Sequence, residues 1–523
     1  MADSDSDRRG DGRGDGASER SATTPGNRKA LGLIERLGNA MPDPGVLFVA
    51  LTAAVFVVSA ALAERRFSVL DPQTHKPIVV VNLLDGKALV AFLSSMVESF
   101  AGFAPLGVVL VTMLGVGVAD KAGLVRALIE ALLRITPRAL LTPAVVLAAI
   151  FSHVAADAGM VLVIPLGGAL FYAAGRHPLA GIAAAFGGVA GAFTATFLPT
   201  PLDPLLQGFT QSAARLVDET VTISPLCNFY FTTASSFLLI AVAWWITDRV
   251  IEPRLTGVPY QDAGEPGADA PVNSPTAPRS ALWFAILAAA VLLAGLAVAA
   301  LWPSSPLADK SGSLLSAEAP LMRSVVPLIF VLFLVPGIVY GVLVGRIRND
   351  RDVFALMSTT MSDMGPYIVL AFFAAQFTTA FKQSNLGALL AVTGAQGLLT
   401  LQLPVALTLV LSIVGVAALN LLIGSASAKW ALISPVVVPM LMQASIAPEL
   451  VQAAYRVGDS STNIVTPLLP YFPLILVYCR RYVSHSSTGT VVALMLPYSL
   501  AFLLSWTALL LAFVLGNVPL GPG

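Results

Sequence analysis

Long apolar runs, separated by short polar punctuation, set the pattern of this chain. Continuous apolar stretches lie at 46–62, 227–246, 282–301, 325–344, 403–423 and 491–515. Each approaches the roughly 20 residues that a helix needs to cross a hydrocarbon layer about 30 Å thick. They lack the ten-residue alternation of barrel strands, so the pattern predicts an all-α polytopic membrane protein. Other runs are apolar but broken. The run at 88–118 is interrupted at Gly102-Phe103-Ala104-Pro105, and that at 354–381 at Asp363-Met364-Gly365-Pro366. Such breaks predict a re-entrant hairpin or discontinuous helix, with a single proline-kinked helix as the alternative. The stretch 124–133, carrying Arg126 and Glu130, reads as an amphipathic helix at the membrane surface.

The most polar interruptions occur in two places. The first begins with Ser152, His153 and Asp157 between apolar segments, turns at Arg176-His177-Pro178, and closes at Pro199-Thr200-Pro201-Leu202-Asp203-Pro204. The second begins at Gly424-Ser425-Ala426-Ser427-Ala428-Lys429-Trp430 and runs into QAAYRVGDSSTNIVTPLLPYFP at 452–473. The two align at one offset: Pro165 and Pro435, Pro178 and Pro448, Gly188 and Gly458, Thr196 and Thr466 are all 270 apart. Paired interruptions in two halves point to a secondary transporter with its site between the repeats. The expected division is a disordered cytoplasmic tail at 1–42, a first membrane repeat at 43–250, a cytoplasmic linker at 251–280 and a second membrane repeat at 281–523.

Composition agrees with this picture and narrows it. Of 523 residues, 56% are hydrophobic and 11% charged, against about 25% charged in soluble domains. Thirty basic and thirty acidic residues cancel, giving no basic surface for nucleic acid. Cys227 and Cys479 lack metal-site spacing and read as small core residues. Arginines at 346, 348, 351, 480 and 481, with those of the tail, mark the inner side. The N-terminus is therefore expected inside and the C-terminus outside a bacterial inner membrane. No GxxxxGK[ST] pattern is present, so an ion gradient, Na⁺ or H⁺, is the expected energy source, with no cofactor. The absence of HExxH and GxSxG disfavours a membrane-embedded hydrolase built on His153 and Asp157 or on Ser427 and Lys429. A passive channel fits paired broken helices poorly.

The segments SHVAADAGMVLVIPL (152–166), GRHPLAGIAAAFGGVAGAF (175–193), GSASAKWALISPVVVPM (424–440) and YRVGDSSTNIVTPLLPYFPL (455–474), with the proline-rich run at 199–204, resemble the AbgT family of aminobenzoyl-glutamate transporters. The resemblance extends over the chain beyond its tail. It implies a homodimer with about nine transmembrane helices and two re-entrant hairpins per subunit. It also implies two inverted repeats, and movement of p-aminobenzoyl-glutamate or export of sulfonamide antimetabolites. By motif position it assigns substrate contact to Asp203, Ser427, Trp430, Pro448, Arg456, Asp459 and Pro467, and a site role to Asn420.

The residue chemistry bears on those assignments. Arg456 suits a carboxylate, and Trp430 an aromatic ring. Asp459, three residues on, is expected to pair with Arg456 when no substrate is bound. Asp459, Ser461 and Asn463, with neighbouring Ser460 and Thr462, offer hard oxygens for Na⁺, and capping of a helix end is their plainer use. Ser152, Asp157 and Thr194 form a matching cluster in the first repeat, with Asp157 a candidate proton carrier. Lys429 is expected either to supply a second cation or to reach an interface. The alternative is a secondary transporter of other dicarboxylates coupled to Na⁺.

Overall fold

The computed structural model describes residues 44–65, 67, 69, 77–134, 136–155, 159–261, 279–302, 305–310, 312–314, 319–469 and 471–522. The N-terminal tail, most of the expected linker and Asp157 lie outside them. Among the described residues all helices and no sheet are found.

The first half begins with α1 (Pro44–Leu62), α2 (Gly86–Ala101) and α3 (Ala104–Ala122). Asp85 caps α2 by accepting from the Lys87 amide. The helices α2 and α3 make up one apolar run of 37 residues. Next comes the amphipathic α4 (Leu124–Arg134), in which Arg126 Nε donates to Glu130 Oε1 at 2.9 Å, one turn on. Then follow α5 (Leu141–Phe151), a 3₁₀ turn at Ser152–Ala155, a π-helical turn at Gly159–Val163, and α6 (Ile164–Ala173). The half closes with α7 (Pro178–Phe186), a second π-helical turn at Gly187–Gly191, α8 (Leu202–Ala214) and α9 (Phe229–Ile246).

The second half contains α10 (Arg279–Leu301), α11 (Val325–Leu343), α12 (Asp350–Asp363), α13 (Gly365–Gln383) and α14 (Leu386–Thr400). After these come α15 (Val405–Asn420), α16 (Ala426–Gln443), α17 (Pro448–Thr462), α18 (Phe472–Tyr482) and α19 (Thr488–Leu515). Six helical runs among the described residues are long and apolar enough to cross a membrane, or seven if α12 and α13 form one span. Those two meet at a 49° bend at Met364. Pro366 explains where α13 starts, because a proline is tolerated in a first helical turn, where its missing N–H has no partner to lose.

The breaks at 102–105 and 363–366 thus lie between consecutive helices of long runs. The tight helix-turn-helix units lie elsewhere, at 159–191 and 426–462. The first is short: its arms, Gly159–Ala173 and Pro178–Gly191, both fall below the roughly 20 residues that cross the hydrocarbon layer.

Helix boundaries carry the repeat. The last residues of α6 and α16 (Ala173, Gln443), the first of α7 and α17 (Pro178, Pro448) and the first of α8 and α18 (Leu202, Phe472) are each 270 apart. Packing repeats too. A Cβ on Gly188 would fall 2.6 Å from Ala149 Cβ, and one on Gly458 only 2.5 Å from the Ile413 carbonyl oxygen. These glycines let one helix lie directly on another, as membrane interiors favour.

Within the first half, Arg176 in the α6–α7 turn holds the extension of α9. Its Nε and Nη2 donate to Glu252 at 3.0 and 2.6 Å, and Nη2 also to Asp248 Oδ1 at 2.5 Å. At the centre lies α17. It is among the least apolar helices, yet every residue from Val451 to Thr462 is buried. A polar helix surrounded by apolar ones must have its groups matched by protein, and this fixes where the chemistry sits.

Candidate functional site

Two ion pairs meet on α17. Arg456 Nη2 lies 2.8 Å from Asp203 Oδ1, with the two side chains 2% and 9% exposed. Lys429 Nζ lies 2.5 Å from Asp459 Oδ1, and neither side chain has any exposed surface. The expected Arg456–Asp459 pair does not form. Spacing along a helix brings two side chains to one face, but here each finds a nearer partner across it, Asp203 from α8 and Lys429 from α16. Nor does Lys429 reach an interface. Its ammonium also donates to Asn420 Oδ1.

Asp203 stands at the start of α8 because its Oδ2 accepts from both the amide and the hydroxyl of Thr200, at 2.8 and 2.9 Å. These bonds close a local turn in the proline-rich run and leave Oδ1 for Arg456. Asn420 ends α15 and is fixed from the other side. The two N–H groups of its Nδ2 are shared among three acceptors, the Asp459 carbonyl (2.7 Å), Thr462 Oγ1 (2.9 Å) and Asn463 Oδ1 (2.9 Å). Three acceptors around the amide nitrogen orient the amide oxygen toward Lys429. Asn463 is therefore part of the cluster, with its Nδ2 reaching the Ala190 carbonyl at 3.4 Å.

Trp430 is fully buried, and one face of its ring stacks on Tyr455, with centroids 4.4 Å apart and planes at 28°. Its indole nitrogen donates to Thr210 Oγ1 and the Leu206 carbonyl. The Trp430 ring is thus held inside the protein, between α8 and α17. Tyr455 adds a hydroxyl within 2.5 Å of the Ala426 carbonyl and 3.1 Å of Asp459 Oδ1. Gln452, one turn before Arg456, donates to Asn228 Oδ1 at 3.0 Å and accepts from Thr210 at 2.5 Å. Tyr455, Gln452, Thr210 and Asn228 were absent from the expected set. The signal for the first two was available, since both fall on the polar helix.

Thr194 of the first repeat is drawn into the second. Its hydroxyl lies 2.8 Å from Ser460 Oγ and 3.3 Å from the Arg456 carbonyl oxygen. Of the matching first-repeat cluster, Asp157 lies outside the described residues, and the described hydrogen bonds of the Thr194 hydroxyl run to the second repeat. Ser152 instead bonds back to the Ala149 carbonyl, and His153 Nε2 lies 3.0 Å from the Val189 carbonyl. Ser461 bonds back to the Val457 carbonyl at 2.7 Å, so its hydroxyl serves its own helix. Ser427 lies in the first turn of α16, 3.4 Å from Ser425 Oγ. Pro448 opens α17 about 12 Å along the helix axis from Arg456, and Pro467 is half-buried beyond its far end. These three frame the cluster without joining it.

Two atoms at the centre have no hydrogen-bond partner among the described residues: Arg456 Nε and Asp459 Oδ2. Buried polar atoms are paired in most proteins, and an unpaired one costs about 1–3 kcal/mol. A guanidinium edge and a carboxylate oxygen left open in this way retain capacity for a ligand.

The family model described as the "AbgT putative transporter family" matches residues 29–523. The chain belongs to the AbgT family. The p-aminobenzoyl-glutamate transport protein of Escherichia coli (strain K12) is 35% identical over 500 residues, covering 95% of this chain and 96% of that protein. Among solved structures, the Alcanivorax borkumensis YdaH transporter, described as having an unusual topology, superposes with a TM-score of 0.87 at 43% identity. That match covers 92% of this chain and all of the other. Neisseria gonorrhoeae MtrF, described as illuminating a class of antimetabolite efflux pumps, gives a TM-score of 0.88 at 40% identity, covering 94% and 99%. This AbgT-family chain is accordingly a multi-pass membrane transport protein. Its relatives are named as transporters and pumps, which leaves the hydrolase reading without support.

Proposed function

We propose that this AbgT-family chain is a secondary transporter, driven by a Na⁺ or H⁺ gradient. It moves p-aminobenzoyl-glutamate or related aromatic and sulfonamide antimetabolites across a bacterial inner membrane. It works as a homodimer, with the N-terminus inside and the C-terminus outside. The observation that carries this reading is the open Nε edge of Arg456, buried beside its partner Asp203 within the membrane helices. A substrate carboxylate is the natural acceptor for that edge, by a charge-assisted hydrogen bond. The name of the E. coli relative supports the substrate, and that of the Neisseria relative supports the antimetabolites.

One observation favours other dicarboxylates, in particular one without an aromatic ring, as a second reading. Trp430 is wholly enclosed and stacked on Tyr455, so recognition of an aromatic ring requires it to move.

Flux of labelled p-aminobenzoyl-glutamate in proteoliposomes tests both. Imposed Na⁺ and pH gradients are applied separately, with wild type and Arg456→Ala. Accumulation against a substrate gradient, lost in Arg456→Ala, is the expected result. Equilibration without concentration would sink the coupling. Competition by glutamate but not by p-aminobenzoate would select the dicarboxylate.

A further inference from the structure

Lys429 occupies a site built for a small cation. Its ammonium has Asn420 Oδ1 and Asp459 Oδ1 as acceptors, and the other Asp459 oxygen is unpartnered among the described residues. The Tyr455 ring lies beside it, its centroid 6.0 Å from Nζ. Carboxylate and amide oxygens are hard donors of the kind that bind Na⁺ in transporters. The site cannot hold two cations. Asp459 supplies one negative charge, and a second unit charge a few ångströms from Nζ, away from water, would be repelled by several kcal/mol even at an effective dielectric of about 20. The feature belongs to one repeat only. The position 270 residues before Lys429 is Gly159, where a Cβ would fall 2.2 Å from Ser152 Oγ and 2.9 Å from Val189 Cγ1, so a side chain there would force both to shift.

We propose that Lys429 is a tethered cation. It holds the coupling-ion position in the substrate-free carrier, so a free monovalent cation enters only by displacing it. Lys429 thereby sets ion affinity and selectivity. This rests on the ion-coupled reading above.

Na⁺ binding to the purified full-length protein is measured by calorimetry at one pH, with choline balancing ionic strength. Lys429→Met removes the charge and keeps most of the volume. It should bind Na⁺ at least tenfold more tightly than wild type, and adding Asp459→Asn should abolish the gain. Equal affinity in wild type and Lys429→Met, or a gain that survives Asp459→Asn, overturns the proposal. Lys429→Ala gives a second test, because n-propylammonium can refill the vacated stem and head. Thermal stabilisation of that variant by n-propylammonium, absent in wild type and antagonised by Na⁺, is expected. No stabilisation overturns the proposal. Failure of the ion-coupled reading itself appears separately, as wild-type flux indifferent to both imposed gradients.

Discussion

Asp203→Asn removes one negative charge and almost no volume. The substituted amide retains an oxygen able to accept from the Thr200 amide, so the turn leading into α8 survives. What is lost is the counter-charge of Arg456, whose side chain is 2% exposed. Removing one partner of a buried ion pair costs about 3–5 kcal/mol, most of it the penalty for the charge left behind. Arg456→Gln should cost a similar amount by stranding Asp203, somewhat less because Asp203 keeps its two bonds to Thr200. With both substitutions no charge is stranded, so the double variant should be markedly less destabilised than the sum of the singles. The coupling energy should reach about 2 kcal/mol or more, within the range for directly contacting groups.

The assay is thermal unfolding of the full-length protein in detergent, with p-aminobenzoyl-glutamate flux measured on the same four proteins. Stability should recover in the double variant, but transport should not, because the group that reads the carboxylate is gone. Single costs that add to within about 0.5 kcal/mol would refute the pair as an energetic unit. A double variant that transports at the wild-type rate would refute Arg456 as the substrate contact.

Two further outcomes follow from packing and from charge. Gly458→Ala places a methyl 2.5 Å from the Ile413 carbonyl oxygen, a backbone atom that cannot swing aside; it should destabilise the protein by about 1–3 kcal/mol, whereas Gly415→Ala, with nothing within 4 Å, should not. His177 caps α7 by accepting from the Leu179 amide through Nδ1, and burial holds its ring below the ordinary imidazole range. A lowered folded value means that the neutral ring stabilises the fold above the unfolded value of about 6.5, and that this contribution is lost as pH falls through the folded value. The melting temperature should therefore drop more steeply with acidification in wild type than in His177→Asn, and equal slopes would remove His177 from the account.

Much of this architecture was legible in the chain. Prolines 178 and 448 announced the starts of α7 and α17, because a proline at the first helical position costs nothing and presets the backbone. The polar run at 452–463 announced a helix that apolar neighbours would have to satisfy. Partner choice was not legible. Sequence spacing says which side chains share a helix face, and on that basis Arg456 and Asp459 belonged together. Which group each one meets depends on what α8 and α16 bring across, and no local pattern records that. The same limit applies to Trp430, whose type suits a ligand ring but whose neighbour is Tyr455. It applies also to Thr194, which left its own repeat to join Ser460.

Thr194 carries the last prediction, because it lies on the seam between the repeats. The Arg456–Asp203 pair and the Thr194–Ser460 contact both cross that seam, whereas Lys429, Asn420 and Asp459 all belong to the second repeat. If access to the site requires the repeats to part, the crossing contacts must break while the Lys429 cluster travels intact. The two hydroxyl oxygens on the seam are 2.8 Å apart, and the longer C–S bonds of two cysteines would narrow that gap toward the disulfide length of about 2.05 Å. Thr194→Cys with Ser460→Cys should therefore cross-link on oxidation without large backbone movement. The native Cys227 and Cys479 are both buried, and each single variant controls for them. The oxidised double variant should lose most of its flux and regain it on reduction. Wild-type flux from fully cross-linked protein would show that the repeats need not separate here, and would move the point of opening away from the Arg456–Asp203 seam.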